Sequence, residues 1–454
     1  MARETDAPNV IFVFADQWHA QATGYAGDPN VHTPHLDRLA GESVNLVNAV
    51  AGCPVCGPYR ASLLTGRYPL SHGVFVNDVH LEHRSPSIAE AFKEAGYDTA
   101  YVGKWHVNGR GRLRFIPPED RQGFEFWRGM ECTHRYNESG YYADTDEMLT
   151  WDGYDAEAQT RCVADYIRSH DRRRPFFLAL SWGPPHSPYQ TAPRQFREMY
   201  DEAALSLRPN VPEADEGWAR RDLAGYYAHC SALDSCLGQL LAEVDEQGLA
   251  DDTIFVFTSD HGDMHGSHGA PAKQWPYDES IRVPFLLRWP RRLGRRPREC
   301  TGPFNAVDVM PTLLGLCGVD IPASVEGNDF SGCLTDNTRP APSDATLIAC
   351  YQPFAAFSRQ EGGREYRGLR TERHTYVRSL DGPWLLFDNE HDPHQLDNLC
   401  GKPSSADIQD QLESRLQAML DEQGDTFQPG EFYIEQWGYT VDETGAVPYD
   451  TGLG

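Results

Sequence analysis

Val10-Ile11-Phe12-Val13-Phe14 is an unbroken apolar run that stops at Asp16-Gln17. Strict alternation would mark a strand with one wet face, whereas a continuous run marks a strand covered on both. Three further runs have the same form. Thr99-Ala100-Tyr101-Val102 leads to Lys104 and His106, Phe176-Phe177-Leu178-Ala179-Leu180 leads towards His186, and Ile254-Phe255-Val256-Phe257 leads to Asp260-His261. Helical patterns lie between them. Ser87 to Ala95 opens on a capping serine and stops at Gly96, and Leu223 to Val244 sets Tyr227, Cys230, Leu233, Leu237, Leu240 and Leu241 on one stripe before Gly248. This alternation predicts an α/β fold built on a mostly parallel sheet with helices on both faces. Ligands of such sheets bind outside the carboxyl ends of the strands, so the four polar endings are expected to meet along one edge.

Outward from this core the character changes after residue 335. Asp336-Asn337-Thr338-Arg339-Pro340-Ala341-Pro342-Ser343 reads as a linker. Short strand-like pieces follow, Arg373 to Val377 and Trp384 to Phe387, then a helix with Ile408, Leu412, Leu416 and Leu420 on one face. The expected organisation is a large α/β domain over residues 1–335 and a small α+β domain over 345–454, since 454 residues exceed what one core holds. A net charge of −27 argues against a nucleic-acid partner and requires any site for an anion to gather its own cations. No apolar run is long enough to span a bilayer. The N-terminus, Met1 to Pro8, is short and polar and carries no secretory pattern, so a cytoplasmic protein is expected, with its eleven cysteines mostly reduced. Association into a homo-oligomer is left open.

The sharpest motif is Cys56-Gly57-Pro58-Tyr59-Arg60, followed by Ala61-Ser62-Leu63-Leu64-Thr65-Gly66-Arg67. Here the chain resembles the formylglycine-dependent sulfatases of the alkaline phosphatase superfamily. Thr33-Pro34-His35-Leu36-Asp37, Arg282-Val283-Pro284, Asp308-Val309-Met310-Pro311-Thr312 and the stretch from Phe387-Asp388 through Asp392-Pro393 to Asn398-Leu399 extend the likeness over most of the chain. The resemblance implies an alkaline-phosphatase-like fold and oxidation of Cys56 to formylglycine by a formylglycine-generating enzyme. The hydrated aldehyde has two hydroxyls. One attacks sulfur, and the other later expels sulfate as the aldehyde reforms, an exit that a plain alcohol lacks. Pro58 suits a helix start, whose N–H groups could face an anion, and Arg60 supplies fixed positive charge. Cys53 does not head the motif and reads as structural.

Asp16, Gln17, Asp260 and His261 end two strands with the same pattern, and with the oxygen at position 56 they would form an oxygen-rich site for one divalent metal. Many sulfatases have Asp-Asp and Asp-Asn at these places. Gln17 and His261 depart from that pattern, and an imidazole ligand admits manganese more readily, but calcium stays the first expectation, with manganese or magnesium as alternatives. By resemblance Lys104 and His106 hold the formylglycine, with His106 the base as sulfate leaves, and His186 and Lys273 bind the sulfate oxygens, one of them protonating the leaving alcohol. The run Asp263-Met264-His265-Gly266-Ser267-His268 reads as a polar loop at the site. Trp18, His19, His134, Arg135, Tyr136 and Trp275 are expected at the pocket rim, a mixture of aromatic and hydrogen-bonding groups that suits a sulfated mono- or oligosaccharide better than a quaternary amine. The expected reaction is hydrolysis of a sulfate ester. The rival readings are a choline or aryl sulfatase, a phosphonate monoester or phosphodiester hydrolase on the same scaffold, and an anion-binding protein without catalysis.

Overall fold

The computed structural model describes residues 7–450, so the polar residues Met1 to Asp6 lie outside it. Its main sheet contains, in chain order, β1 (Asn9–Asp16), β2 (Val44–Leu46), β3 (Asp98–Lys104), β4 (Phe126–Met130), β5 (Phe176–Pro185), β6 (Thr253–Ser259), β7 (Phe285–Arg288) and β8 (Arg298–Cys300). They are arranged in space as β8-β2-β7-β6-β1-β5-β3-β4. The four strands read from apolar runs are neighbours, β6-β1-β5-β3, and every pairing among them is parallel. Only β7 runs against its neighbours.

Strand β1 shows why the runs are continuous. Val10, Phe12 and Phe14 enter one hydrophobic core, and Ile11, Val13 and Ala15 enter the other, on the opposite face. Helices α2 (Cys56–Thr65), α3 (Ile88–Glu94) and α6 (Ala306–Cys317) contribute to the first core. Helices α1 (Pro34–Ala40), α4 (Asp155–Ser169) and α5 (Glu216–Glu246) cover the second. Ser87 caps α3 with a full capping box to Glu90, as its sequence signalled. Helix α5 begins at Glu216, before the apolar stripe read from Leu223, because its first two turns bury only Ala219.

Besides two short two-stranded ribbons, Ala49–Val50 with Phe304–Asn305 and Gly140–Tyr141 with Leu149–Thr150, there is a four-stranded antiparallel sheet: β9 (Ala345–Cys350), β10 (Tyr366–Thr371), β11 (His374–Ser379) and β12 (Gly382–Asp388). One face packs Leu347, Leu369, Tyr376 and Leu386 against Leu412, Leu416 and Leu420 of α7 (Ala406–Gln423). The other meets Val50 and Ile281 from the main body. Most of the motifs that carried the family resemblance outside residues 56–67 are braces. Asp234 on α5 accepts the His35 and Leu36 N–H groups at the start of α1, Asp308 holds the Asn328 N–H, and Asn398 accepts from Leu386. Among the described residues no helix is long and apolar enough to cross a membrane, and all eleven cysteines are unpaired.

Asn305, paired with Val50 in one of the short ribbons, ties helix α6 to the antiparallel sheet. Its buried amide caps α6, accepting from Ala306 N–H (2.7 Å) and Gly52 N–H (3.0 Å), and donates to Thr346 Oγ1 (2.9 Å) and Leu347 O (3.0 Å) on β9. Asn305→Ala removes a helix cap and strands buried partners, so urea denaturation is expected to show a loss of about 3 kcal/mol. A loss within experimental error would show that β9 is held by apolar packing alone.

Candidate active site

The parallel neighbours bring Asp16, Lys104, His186 and Asp260 to one edge, and α2 starts there with Cys56. One ligand atom each of Asp16, Cys56, Asp260 and His261 lies within 4.8 Å of the other three, and all four residues are buried. Cys56 Sγ is 3.6 Å from Asp16 Oδ1 and 3.2 Å from His261 Nε2. His261 Nε2 is 3.5 Å from a carboxylate oxygen of both Asp16 and Asp260. Two glycines permit these approaches. A Cβ at Gly103 would stand 2.0 Å from Ser181 O, and one at Gly262 would stand 1.9 Å from Glu279 O.

Cations surround the cluster. Arg60, itself buried, donates to Asp260 Oδ2 (3.1 Å), Asp16 Oδ2 (3.5 Å), Lys104 O and Ser181 Oγ (both 2.7 Å). These bonds place its charge beneath the two carboxylates. Lys104 Nζ is paired with Asp16. Lys273 Nζ donates to Cys56 Sγ and Gln17 Oε1, each at 3.1 Å. Burial and the Cys56 sulfur would raise the Asp16 carboxyl, but the Lys104 and Lys273 cations hold it well below the usual range. Burial would also raise the Cys56 thiol, yet Lys104, Lys273 and His261 keep it far below an ordinary thiol. Cys53, three residues earlier, shows the contrast: burial pushes its thiol up to about 12, which is a structural cysteine's environment.

The donor set fits a divalent ion. Burial, and Asp16 beside it, raise the Asp260 carboxyl above its ordinary value. Burial and Lys273 would lower His261, but Asp260 and Cys56 raise it above the usual imidazole range. Negative donors that hold a proton on an imidazole in this way are placed to hold a metal cation instead, with release of that proton. Gln17 joins them through a strained backbone (φ 74°) that lets its N–H donate to Asp260 Oδ1 at 3.0 Å. Its side chain is fixed by a residue that sequence reading left unassigned. Asp263 accepts both from Gln17 Nε2 and from the Tyr189 hydroxyl, which turns Gln17 Oε1 towards Lys273 and the cluster.

Some expectations change. Backbone amides at the start of α2 contribute little, because Asn77 Oδ1 already takes the Gly57 N–H (2.8 Å) and Pro58 has none. Trp18 is a core residue, edge-on to Phe257, and Tyr136 is buried with its hydroxyl on Ser187 O. His19 is buried against Tyr226 and His265. Trp18 and Tyr136 thus belong to the packed interior, and His19 reaches only a cavity it shares with Arg208, His265 and Glu279. Trp275 packs on Phe357 and is only partly covered. His134 and Arg135 are exposed, and the His134 ring stacks on that of His186 with centroids 4.5 Å apart. In the loop after His261, His265 lies against Tyr226 and His268 stacks on Tyr277, so Asp263 is the residue of that run that reaches the cluster's ligands.

Comparison with known proteins agrees with this geometry. Residues 8–319 match the Sulfatase family and residues 266–422 match the family described as N-sulphoglucosamine sulphohydrolase, C-terminal. The chain is 42% identical to an ulvan-active sulfatase of Formosa agariphila, over 98% of this chain and 88% of that protein. It is 31% identical to an endo-4-O-sulfatase of Bacteroides thetaiotaomicron, over 93% of each. The crystal structure of a candidate sulfatase from Bacteroides fragilis superposes with a TM-score of 0.85 at 29% identity, covering 96% of this chain and 99% of that one. With two carboxylates, an imidazole and a cysteine brought together at the head of Cys-Gly-Pro-Tyr-Arg, the chain belongs to the sulfatase family and is an enzyme that hydrolyses sulfate esters.

Proposed function

We propose that the enzyme removes sulfate from a sulfated mono- or oligosaccharide, using formylglycine derived from Cys56 and one calcium ion. The observation that carries this reading is the contact of Cys56 Sγ with Lys273 (3.1 Å) and His261 (3.2 Å) inside the buried carboxylate cluster. The saccharide assignment is supported by the two relatives named as an ulvan-active sulfatase and an endo-4-O-sulfatase, and by the exposed His134 stacked on His186.

Asp16, Gln17, Asp260, His261 and the side chain at position 56 would hold the ion. Hard oxygen donors from two carboxylates and an amide favour calcium, and the imidazole leaves manganese or magnesium as competitors. A bound divalent ion supplies Lewis-acid charge beside position 56, and the hydrated aldehyde supplies an oxygen nucleophile there. The rest falls to the chain's own residues. Lys104 and Lys273 bring positive charge to position 56, and Lys273 extends it to the incoming anion. His186 receives a sulfate oxygen or protonates the departing alcohol. Its Nδ1 donates to Ser187 O at 2.8 Å, which fixes the ring, so Nε2 serves as a donor to sulfate oxygen or leaving alcohol only once the ring has taken up a second proton there. His106 takes a proton as sulfate departs. Arg60, buried beneath both carboxylates, sets its positive charge against them.

Maturation requires a formylglycine-generating enzyme as a partner. In protein made with that enzyme, peptide mass spectrometry should find the aldehyde at Cys56 and a thiol at Cys53. Full activity with Cys56 unconverted would refute this chemistry. Elemental analysis should find one calcium per chain in the matured protein and none in Asp260→Ala. Asp263→Ala, which frees the Gln17 amide, should weaken the metal about 10- to 100-fold in a titration of stripped protein. Unchanged metal binding in both variants would place the ion elsewhere. Finally, kcat/KM on sulfated mono- and oligosaccharides should exceed that on choline sulfate, aryl sulfates and phosphonate monoesters. A preference for choline or aryl sulfate would refute the sugar but keep the sulfatase, and a preference for phosphonate esters would reassign the reaction.

A further inference from the structure

His106 is buried, and neither ring nitrogen makes a hydrogen bond within the protein. Its one carboxylate neighbour in ion-pair range is Asp78, with Oδ1 3.6 Å from Nε2. Both residues sit at positive φ, 60° for His106 and 64° for Asp78, so each spends backbone strain to be where it is. Asp78 is locked from the far side. Arg112 grips it with two parallel hydrogen bonds, Nε to Oδ1 (2.8 Å) and Nη2 to Oδ2 (2.7 Å). Arg112 is in turn clamped by the end of the described chain. The Tyr449 ring lies over its guanidinium at 3.5 Å, and its backbone N–H donates to Asp450 O at 2.9 Å.

We propose that Asp78 is a positioning residue that fixes the tautomer and orientation of His106, and that Arg112 and the C-terminal residues Tyr449 and Asp450 hold it there. The inference rests on the sulfatase reading of His106. An ionised carboxylate only accepts, so its position at Nε2 selects the tautomer with the proton on Nε2. Nδ1 is then left with its lone pair to take the proton from the group at position 56, and Asp78 balances the imidazolium that results. Lys104, Cys132 and Glu131 also neighbour the ring, and the Cys132 sulfur can accept from it, but Asp78 is the one whose carboxylate is held in place by a bidentate arginine.

The test uses full-length, matured, metal-loaded enzyme. Asparagine tolerates positive φ, so Asp78→Asn keeps the backbone and removes the charge. Its kcat should fall about 10- to 100-fold with KM unchanged, as for loss of a residue that orients a catalytic side chain. Nitrogen-15 spectra of the His106 ring should show Nε2 protonated in the wild type and a tautomer mixture in Asp78→Asn. Tyr449→Ala, far from the reacting atoms, should shift the same signals in the same direction with a smaller loss of kcat, and it serves where Asp78→Asn does not fold. An unchanged tautomer in both variants overturns the proposal, whatever the rates, and so does unchanged kcat with a changed tautomer. Failure of the sulfatase reading would appear separately, as wild-type enzyme that turns over no sulfate ester while the ring signals still respond.

Discussion

Asp16 and Asp260, both without measurable exposure, stand at the ends of adjacent parallel strands with ligand oxygens inside one 4.8 Å cluster. Two like charges so close in a dry interior repel strongly, and each alone would carry a desolvation cost of several kcal/mol. Much of the surrounding structure answers that constraint. Arg60 enters from α2 beneath both carboxylates, Lys104 arrives from β3 to pair with Asp16, and the strained Gln17 backbone donates an N–H to Asp260. The register of β6, β1, β5 and β3 sets the spacing, because sliding any of these strands by one residue would turn its terminal polar group onto the opposite face. The same constraint explains the two crowded glycines: a side chain at either Gly103 or Gly262 would push a strand-end turn away from the cluster.

The fold and the inner site were legible for a physical reason. A strand covered on both faces must be apolar throughout, so a polar residue at its end stands out, and neighbouring parallel strands deliver such ends to one place. That logic reached Asp16, Lys104, His186 and Asp260 without contact information, and the Cys56 motif supplied the family likeness. It could not reach Asp263 or Asp78. Asp263 meets Gln17 across 246 positions and Asp78 meets Arg112 across 34, and nothing local distinguishes a carboxylate that orients a ligand from one facing water. It also misjudged Trp18, His19 and Tyr136. A ring beside a polar motif can face the pocket or the layer beneath, and only the twist of the strand end decides. Helix α5 was found short because periodicity records where a helix touches a core, and its first two turns bury only Ala219.

The site also answers the chain's net charge of −27, which would turn an anionic substrate away at long range. Within the site the balance differs. Three carboxylates, Asp16, Asp260 and Asp263, stand against three permanent cations, Arg60, Lys104 and Lys273, and two of those cations are committed to the carboxylates beneath. The protein alone therefore offers a nearly neutral cleft, and a divalent ion would make it positive. Such an excess suits a singly charged tetrahedral ester. A sulfate ester and a phosphonate monoester both carry one negative charge, so charge alone cannot choose between them on this scaffold. Selection has to come from the alcohol side, and the exposed His134, stacked on His186, is a candidate to contribute to it. His134 and Arg135 sit on the segment after β4, and His134 meets the inner site only through its stack on His186. The scaffold can thus keep its buried charge network intact while the outer loop changes what the enzyme accepts.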